Sequence, residues 1–586
     1  MNFQGPKSPA DHPSAAGALQ GPGQWLPYRL PFLLFVLSLG IIAAVWYWLG
    51  APVQLAHPIG PPGAKINCVS YAPFRGSQNP IAPYSVVGER EIAEDFAQLA
   101  MVSRCVRSYS TGNGMDKAPG IARKFGLKMM LGIWVSGSAE KTRGEIETAV
   151  ALAKEYPDVV EAIIVGSEVL LRKEITAAEL RRTIRSVKAQ VSVPITYADV
   201  WEFWFGTPDL AEVVDFVTIH VIPFWEDVPV SAEVAVEHVE RMRQRAIVAF
   251  PGKEILIGET GWPSAGRMRE GTLPSRIDQA RFISGALALA EKQKFRLNLI
   301  EAFDQPWKHE WEGTVGEHWG LFDAQTRAFK YPAGEAISNQ PFWERHMLSG
   351  IALCSAIFGA AMLALLRNGR SARQRDWFAV AIMAVTSGAL LGIAIEAMFL
   401  HSFGIDGWIR EIVLLALGVS VPLLSAYALM SGYRIPAFGE LLGSADYGPL
   451  SRLSVALGVV LALTAVMACI TALGLVFDPR CRDFPFAPMT MAAISLFALR
   501  TSRTSNDALP MAEMLFAVLL GSSAIYIVFN EGFENWQSLW TCAAYALLGA
   551  TLLRGTELKV QSSLIDVSSL ALETAPQTSS QTRLGV

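Results

Sequence analysis

Ile255-Leu256-Ile257-Gly258-Glu259-Thr260-Gly261-Trp262-Pro263-Ser264 is an apolar run that stops on a carboxylate and passes into turn residues. A short β-branched run of this kind reads as a strand buried on both faces, as in a parallel sheet. Ile163-Ile164-Val165-Gly166-Ser167-Glu168 has the same design. Outward from these two, further strand-like runs fall near 66–72, 103–109, 128–134, 195–201, 215–221 and 297–303. Helical periodicity with charged outer faces fills 89–100, 141–155, 176–190, 232–247 and 275–293 between them. Eight βα units within residues 52–345 predict a (β/α)8 barrel of the TIM type. The alternative, a doubly wound open sheet, lacks its usual phosphate loop, because Ala72-Pro73-Phe74-Arg75-Gly76 follows Tyr71.

In such a barrel the chemistry sits at the carboxyl ends of the strands, so a polar residue closing an apolar strand is a candidate. Glu168 closes the fourth predicted strand and Glu259 the seventh. A single acid there can be a helix cap instead. Two acids, on strands that face each other across the mouth, suit a retaining glycosidase, whose carboxyl groups stand about 5–5.5 Å apart. Of two such carboxyl groups, the one that donates the proton is expected to titrate above its partner.

The run E-T-G-W-P-S-x-G from Glu259 resembles the signature of glycoside hydrolase family 17, the β-1,3-glucanases and cell-wall transglycosidases, and the similarity covers most of 62–332 in strand order. The resemblance implies that Glu259 is the nucleophile and Glu168 the general acid/base. The residues at the other strand ends read as a sugar pocket, and the run from Glu301 to Lys308 resembles the strand-eight segment of that family. The candidates are Tyr71, Arg107, Tyr109, Ser167, Tyr197, Trp201, His220, Trp225, Trp262, Glu301, Trp307 and Lys308. The aromatic faces of Trp262 and Trp307 suit the apolar faces of glucose, with core packing as the other reading of each. His220 reads equally as a core residue or a ligand. Most relatives have asparagine before the acid/base, where this sequence has Ser167, so the contact to the sugar 2-hydroxyl is expected to differ.

The rest of the chain is of another character. With 51% hydrophobic and 17% charged residues, 586 residues exceed one soluble domain. Residues 31–49 are nearly uninterrupted apolar sequence, enough to cross a hydrocarbon core about 30 Å thick. They predict an amino-terminal transmembrane helix at 29–50, a cleaved signal peptide ending near Val53-Gln54-Leu55-Ala56 being the alternative. Apolar stretches near 348–366, 377–400, 411–430, 453–477, 486–499, 511–529 and 537–553 predict a seven-span bundle over 346–555, about eight spans in all. Pro488 and its short length make 486–499 the weakest. Residues 1–28 and 556–586 read as disordered cytoplasmic tails. Arg367, Arg370, Arg373 and Arg375 share one short loop, and alternation from there puts Arg434, Arg452, Arg500, Arg503, Arg554 and Lys559 on the same, cytoplasmic side. The opposing loops hold little beyond Arg480 and Arg482, and the barrel falls on the outer side, in the periplasm of a bacterial inner membrane.

A formal charge of -4 offers no basic field for nucleic acid. The six cysteines form no C-x-x-C pair, which argues against a zinc site or a disulfide scaffold, and Cys68 and Cys105 read as neighbouring buried thiols. No metal and no cofactor is expected. The expected partners are a β-glucan donor and acceptor, the lipid bilayer and a membrane β-1,3-glucan synthase. A family 17 domain flanked by one amino-terminal and several carboxyl-terminal spans resembles the β-(1→6)-glucan synthases of rhizobia. The resemblance implies a transglycosylase that builds or branches β-(1→3),(1→6)-glucans, and the aromatics of 201–205 and 223–225 read as an acceptor platform or as loop packing. A hydrolytic endo-β-1,3-glucanase is the first alternative. A glucan exporter with the barrel as a binding module is the second, resting on Glu396, Glu411 and Glu513 within or beside the spans.

Overall fold

A computed structural model describes residues 26–59, 65–82, 85–369, 371–442, 450–499 and 511–554. Most of both expected tails, and Arg370, Arg500, Arg503 and Lys559, lie outside the described residues. The eight expected strands are all present: β1 (Cys68–Ser70), β2 (Cys105–Arg107), β3 (Lys128–Ile133), β4 (Val160–Ser167), β5 (Ile195–Val200), β6 (Val217–His220), β7 (Ile255–Thr260) and β8 (Leu297–Leu299). They are parallel and close into a barrel in sequence order, β8 pairing with β1. The helices Glu89–Val102, Ala139–Glu155, Ala177–Lys188, Ala232–Ala249 and Arg276–Gln293 follow the periodic segments. Between β5 and β6 the chain forms only the short helices Trp201–Gly206 and Pro208–Glu212.

Two apolar clusters build the barrel. The larger lies between strands and helices. The smaller collects Cys68, Cys105, Met130, Ala162, Ile164, Ala198, Phe216 and Leu256, contributed by successive strands, and fills the lumen. Within it Cys68 and Cys105 are bonded as a disulfide, contrary to the expectation of free thiols. The register explains the correction. Val69 pairs with Val106, which brings the two preceding residues side by side at a Cα separation of 4.3 Å.

All eight apolar stretches outside the barrel are helical, but among the described residues six helices, not eight, are long and apolar enough to cross a membrane: Arg29–Leu49, Trp343–Asn368, Gln374–Leu400, Gly404–Ser431, Arg452–Phe477 and Met511–Glu531. Phe486–Phe497 has 12 residues, about 18 Å of helix, and lies inside the bundle with most of its surface covered. Trp536–Leu553 carries Gln537, Ser538 and Thr541 in its first two turns, which lowers its hydropathy. The acids that suggested transport have partners. Glu396 pairs with His346 at 2.9 Å, Glu411 with Arg410 at 2.9 Å, and Glu513 accepts the Phe438 N–H at 2.8 Å.

The carboxyl ends of the strands face the bundle. The loop after β7 sends Arg267 into an ion pair with Glu531 at 2.5 Å, each side chain more than nine-tenths buried. Gln537 accepts the Met268 N–H at 2.8 Å, and Asn535 donates to the Met268 carbonyl at 3.2 Å. After β8, Thr314 donates to Asp483 at 2.6 Å and the His309 ring stacks on Phe403 at 4.7 Å. The three loops in contact, around 401–404, 478–485 and 530–537, are those opposite the arginine-rich side in the sequence.

Candidate active site

The two glutamates meet at one histidine. His220 ends β6, and its backbone register pairs it with Glu259 on β7. Its Nδ1 lies 2.8 Å from Glu168 Oε1 and its Nε2 lies 3.6 Å from Glu259 Oε1. One donor atom from each of the three residues falls within 4.8 Å of the others. Two glycines allow this convergence. Gly166 takes φ +88° and Glu168 itself φ +54°, turning the end of β4 inward. A left-handed conformation costs a non-glycine residue of order 1–3 kcal/mol, and such residues cluster at functional sites. A Cβ at Gly258 would come within 2.3 Å of Thr218, so only glycine lets β7 lie this close to β6 beside Glu259.

Glu259 is 4% exposed and rests on Arg107 from β2, whose guanidinium is 1% exposed and donates to it. Burial opposes ionisation of Glu259, but His220 and Arg107 beside it, with hydrogen bonds from Arg107 and Tyr109, hold its carboxyl well below the usual range, at about 2. The same Arg107 donates to Ser167 Oγ at 2.9 Å and lies 4.4 Å over the Tyr109 ring. Glu168 is more open, with 27% of its side chain exposed to the cavity. One buried ionised carboxylate beside an accessible one is an arrangement for nucleophile and proton donor. Glu168, His220 and Glu259 also have the donor set for a divalent cation. Arg107 already neutralises Glu259, which counts against that use.

A cavity of about 980 Å³ opens from the pair. Glu168, His220, Trp225, Glu259 and Lys308, all expected from the sequence, line it. Arg107, Ser167 and Glu301 are buried, with Tyr109 partly so, outside the cavity lining. Lys308 donates to Glu301 at 2.5 Å, and burial pushes the Glu301 carboxyl up to about 7 despite that lysine. The remaining candidates do not reach the cavity surface. Tyr71 is buried with its hydroxyl on Asp95 at 2.9 Å, and Tyr197 is buried with its hydroxyl on Asp199. Trp262 is fully buried, packed edge-on to Phe224, with its indole on the Leu273 carbonyl at 3.3 Å. Trp201 bonds Glu226 at 3.2 Å, and Trp307 bonds Gln305 at 2.8 Å. Tyr197 lies within β5 and the others come after strands, but local sequence does not say whether such a ring turns to the mouth or into the wall.

Sequence reasoning missed several cavity residues. Trp319 lines it, 2% exposed, and its indole N–H has no hydrogen-bond partner among the described residues. Glu312 lines it too, and burial raises its carboxyl despite Lys308 and Arg480. Arg267, Arg480, Asn530 and Glu531 also line it. The motif H-E-W-E at 309–312 was a usable signal for Glu312. Nothing local marks the last three, which belong to the bundle.

Residues 68–320 match the model of the BtgE/BtgC glycoside hydrolase domain. The probable β-glucosidase btgE of Aspergillus fumigatus is 29% identical over 227 residues, 37% of this chain and 39% of that protein. The glucan 1,3-β-glucosidase of Schizosaccharomyces pombe is 28% identical over 259 residues, 40% of this chain and 78% of that protein. The chain thus spans about two-fifths of the length of the Aspergillus relative. Among solved structures, the glycoside hydrolase family 17 β-1,3-glucanosyltransferase of Rhizomucor miehei is 24% identical, with a TM-score of 0.40 over 45% of this chain and 95% of that one. The barrel of this chain is thus the part that is similar to the BtgE/BtgC glycoside hydrolase domain.

Proposed function

We propose that this chain is a membrane-bound retaining β-glucan transglycosylase, which takes β-1,3-glucan as donor and builds or branches β-(1→3),(1→6)-glucans on the outer face of a bacterial inner membrane. The observation that carries the reading is the pair Glu168 and Glu259, with carboxylate oxygens within 4.8 Å of each other around His220 at the barrel mouth. That separation suits covalent catalysis and leaves little room for the water of an inverting enzyme, whose carboxyl groups stand about 6.5–9.5 Å apart.

In the first step Glu259, held ionised, attacks the anomeric carbon as Glu168 gives its proton to the leaving glycosidic oxygen. The products are a glycosyl ester on Glu259 and a free sugar hydroxyl. In the second step Glu168, now a carboxylate, takes the proton of an acceptor hydroxyl that attacks the ester, and Glu259 is released. Arg107 and Tyr109 fix the nucleophile from beneath, and His220 keeps the two carboxylates in register. The Trp319 N–H and Lys308 are donors for sugar hydroxyls, and Trp225 offers an aromatic face. The names of the relatives, a β-glucosidase and a glucan 1,3-β-glucosidase, support the β-glucan class. Phe203, Phe224 and Trp225 in the cavity wall support an acceptor site, and so transfer over hydrolysis.

The location draws support from two features. A disulfide in the barrel suits an oxidising compartment. The loops that touch the barrel are those that the arginine distribution puts outside. The test is incubation of the full chain, in detergent or nanodiscs, with laminari-oligosaccharides, followed by linkage analysis. Longer or branched products that vanish in Glu259→Gln are expected. Only shortened sugars would replace transfer by hydrolysis, and unchanged sugars with the wild-type chain would end the enzymatic reading.

A further inference from the structure

The cavity has a wall that lies outside residues 68–320, the stretch similar to the glycoside hydrolase domain. Pro479 and Arg480 come from the loop between the helices Arg452–Phe477 and Phe486–Phe497, and Asn530 and Glu531 are the last two residues of the candidate span Met511–Glu531. One turn of that helix, about 5.4 Å, separates the sugar cavity from apolar membrane sequence. We infer that the saccharide site is bipartite: the bundle loops supply binding positions for glucan units beyond the reacting ring, so a glucan chain is bound along the seam between barrel and bundle, at the membrane surface. The inference rests on the proposed transglycosylase reading and adds where the rest of the polymer is held.

Three observations support it. First, the wall is built and rigid. Glu531 is 7% exposed, pairs with Arg267 and accepts from Asn535 at 3.1 Å, while Arg267 also donates to the Arg482 carbonyl at 3.2 Å and stacks 4.6 Å over Phe484. Second, the wall carries an uncommitted donor. Arg480 stacks 5.0 Å over the Trp225 ring but makes no hydrogen bond or ion pair among the described residues. Its guanidinium N–H groups are therefore available to ligand hydroxyls, next to an aromatic ring, the pairing that saccharides use. Third, the cavity, at about 980 Å³, is at the upper end of the about 300–1,000 Å³ typical of ligand sites and extends past one ring's needs.

A docking role alone would require contacts but no free donor in the cavity, and the test separates the two. In the full chain, KM and kcat are measured for laminari-oligosaccharides from two to six units with wild type, Arg480→Ala and Asn530→Ala. The ratio of variant to wild-type KM is expected to grow with chain length, by about tenfold from shortest to longest, the loss from one charge-assisted hydrogen bond. Thr314→Val, which removes the docking bond to Asp483 outside the cavity, is expected to show no such length dependence. Ratios independent of length, or the same pattern in Thr314→Val, overturn the inference while leaving the proposed function standing. A wild-type chain inert on every length overturns both. A second measurement guards against misfolded variants. A photoreactive laminarihexaose held by the Glu259→Gln chain should cross-link to peptides containing Arg480 or Asn530, and cross-links confined to barrel peptides would overturn the bipartite site.

Discussion

Replacing Arg107 by glutamine removes the buried cation beneath Glu259 and leaves the carboxylate, 4% exposed, with His220 and Tyr109. An arginine beside a carboxylate lowers its pKa by about 1–3 units, so the Glu259 carboxyl should rise by that amount. Because its folded value lies below the unfolded one, its ionic stabilisation is complete above about 4.5 and is lost as the pH falls towards about 2. Breaking one side of a buried ion pair costs about 3–5 kcal/mol, so the stability lost by the variant should be largest near neutral pH and shrink in acid. The assay is kcat/KM against pH on laminari-oligosaccharides, with the full chain in nanodiscs. Wild type should keep its rate to the lowest pH at which it stays folded, whereas Arg107→Gln should decline along an acid limb shifted up by about 1–3 units. Arg107→Lys keeps the charge but loses the fork that also holds Ser167. It should leave the limb in place and lower kcat. Superimposed acid limbs for wild type and Arg107→Gln would refute the idea that this guanidinium sets the state of the nucleophile.

Glu168→Gln should lower turnover of unactivated glucans by about 10²–10⁴-fold and spare donors whose leaving group needs no proton, such as nitrophenyl glucosides; equal losses on both would exclude Glu168 as the acid. Alkylation of the denatured, unreduced chain should label four of the six cysteines, with Cys68 and Cys105 reacting only after reduction. Cys68→Ser with Cys105→Ser should cost roughly 4 kcal/mol for a loop of this length, read as an earlier thermal transition of the barrel, and six labelled cysteines without reduction would remove the bridge. Arg267→Met should weaken barrel docking by about 3–5 kcal/mol, leaving Glu531 buried without its partner. Limited proteolysis should then cut near 265–275, and an unchanged fragment pattern would assign docking to the other contacts.

The barrel was legible because its signals are local. A β-branched run, a polar residue at its end and a helical period after it are enough to order eight strands, and Glu168 and Glu259 stood out as acids where apolar runs stop. The long apolar helices were legible for the same reason, though length and neighbours decide what a helix does. Phe486–Phe497 is apolar enough for lipid but is enclosed by other helices instead. Ring orientation was not legible: Trp262 and Trp225 both follow strands, yet one is sealed against Phe224 and Phe282 and the other faces the cavity.

From the chain alone came the fold class, the two carboxylates and the separation into barrel and bundle, since each depends on residues a few positions apart. Tertiary structure alone decided the Cys68–Cys105 bridge, the guanidinium under Glu259 and the roof of the cavity, because each joins segments by register or docking across 37, 152 and more than 200 positions. Contacts at that range are fixed by how the barrel closes and where the bundle meets it, and no periodicity in the sequence records either.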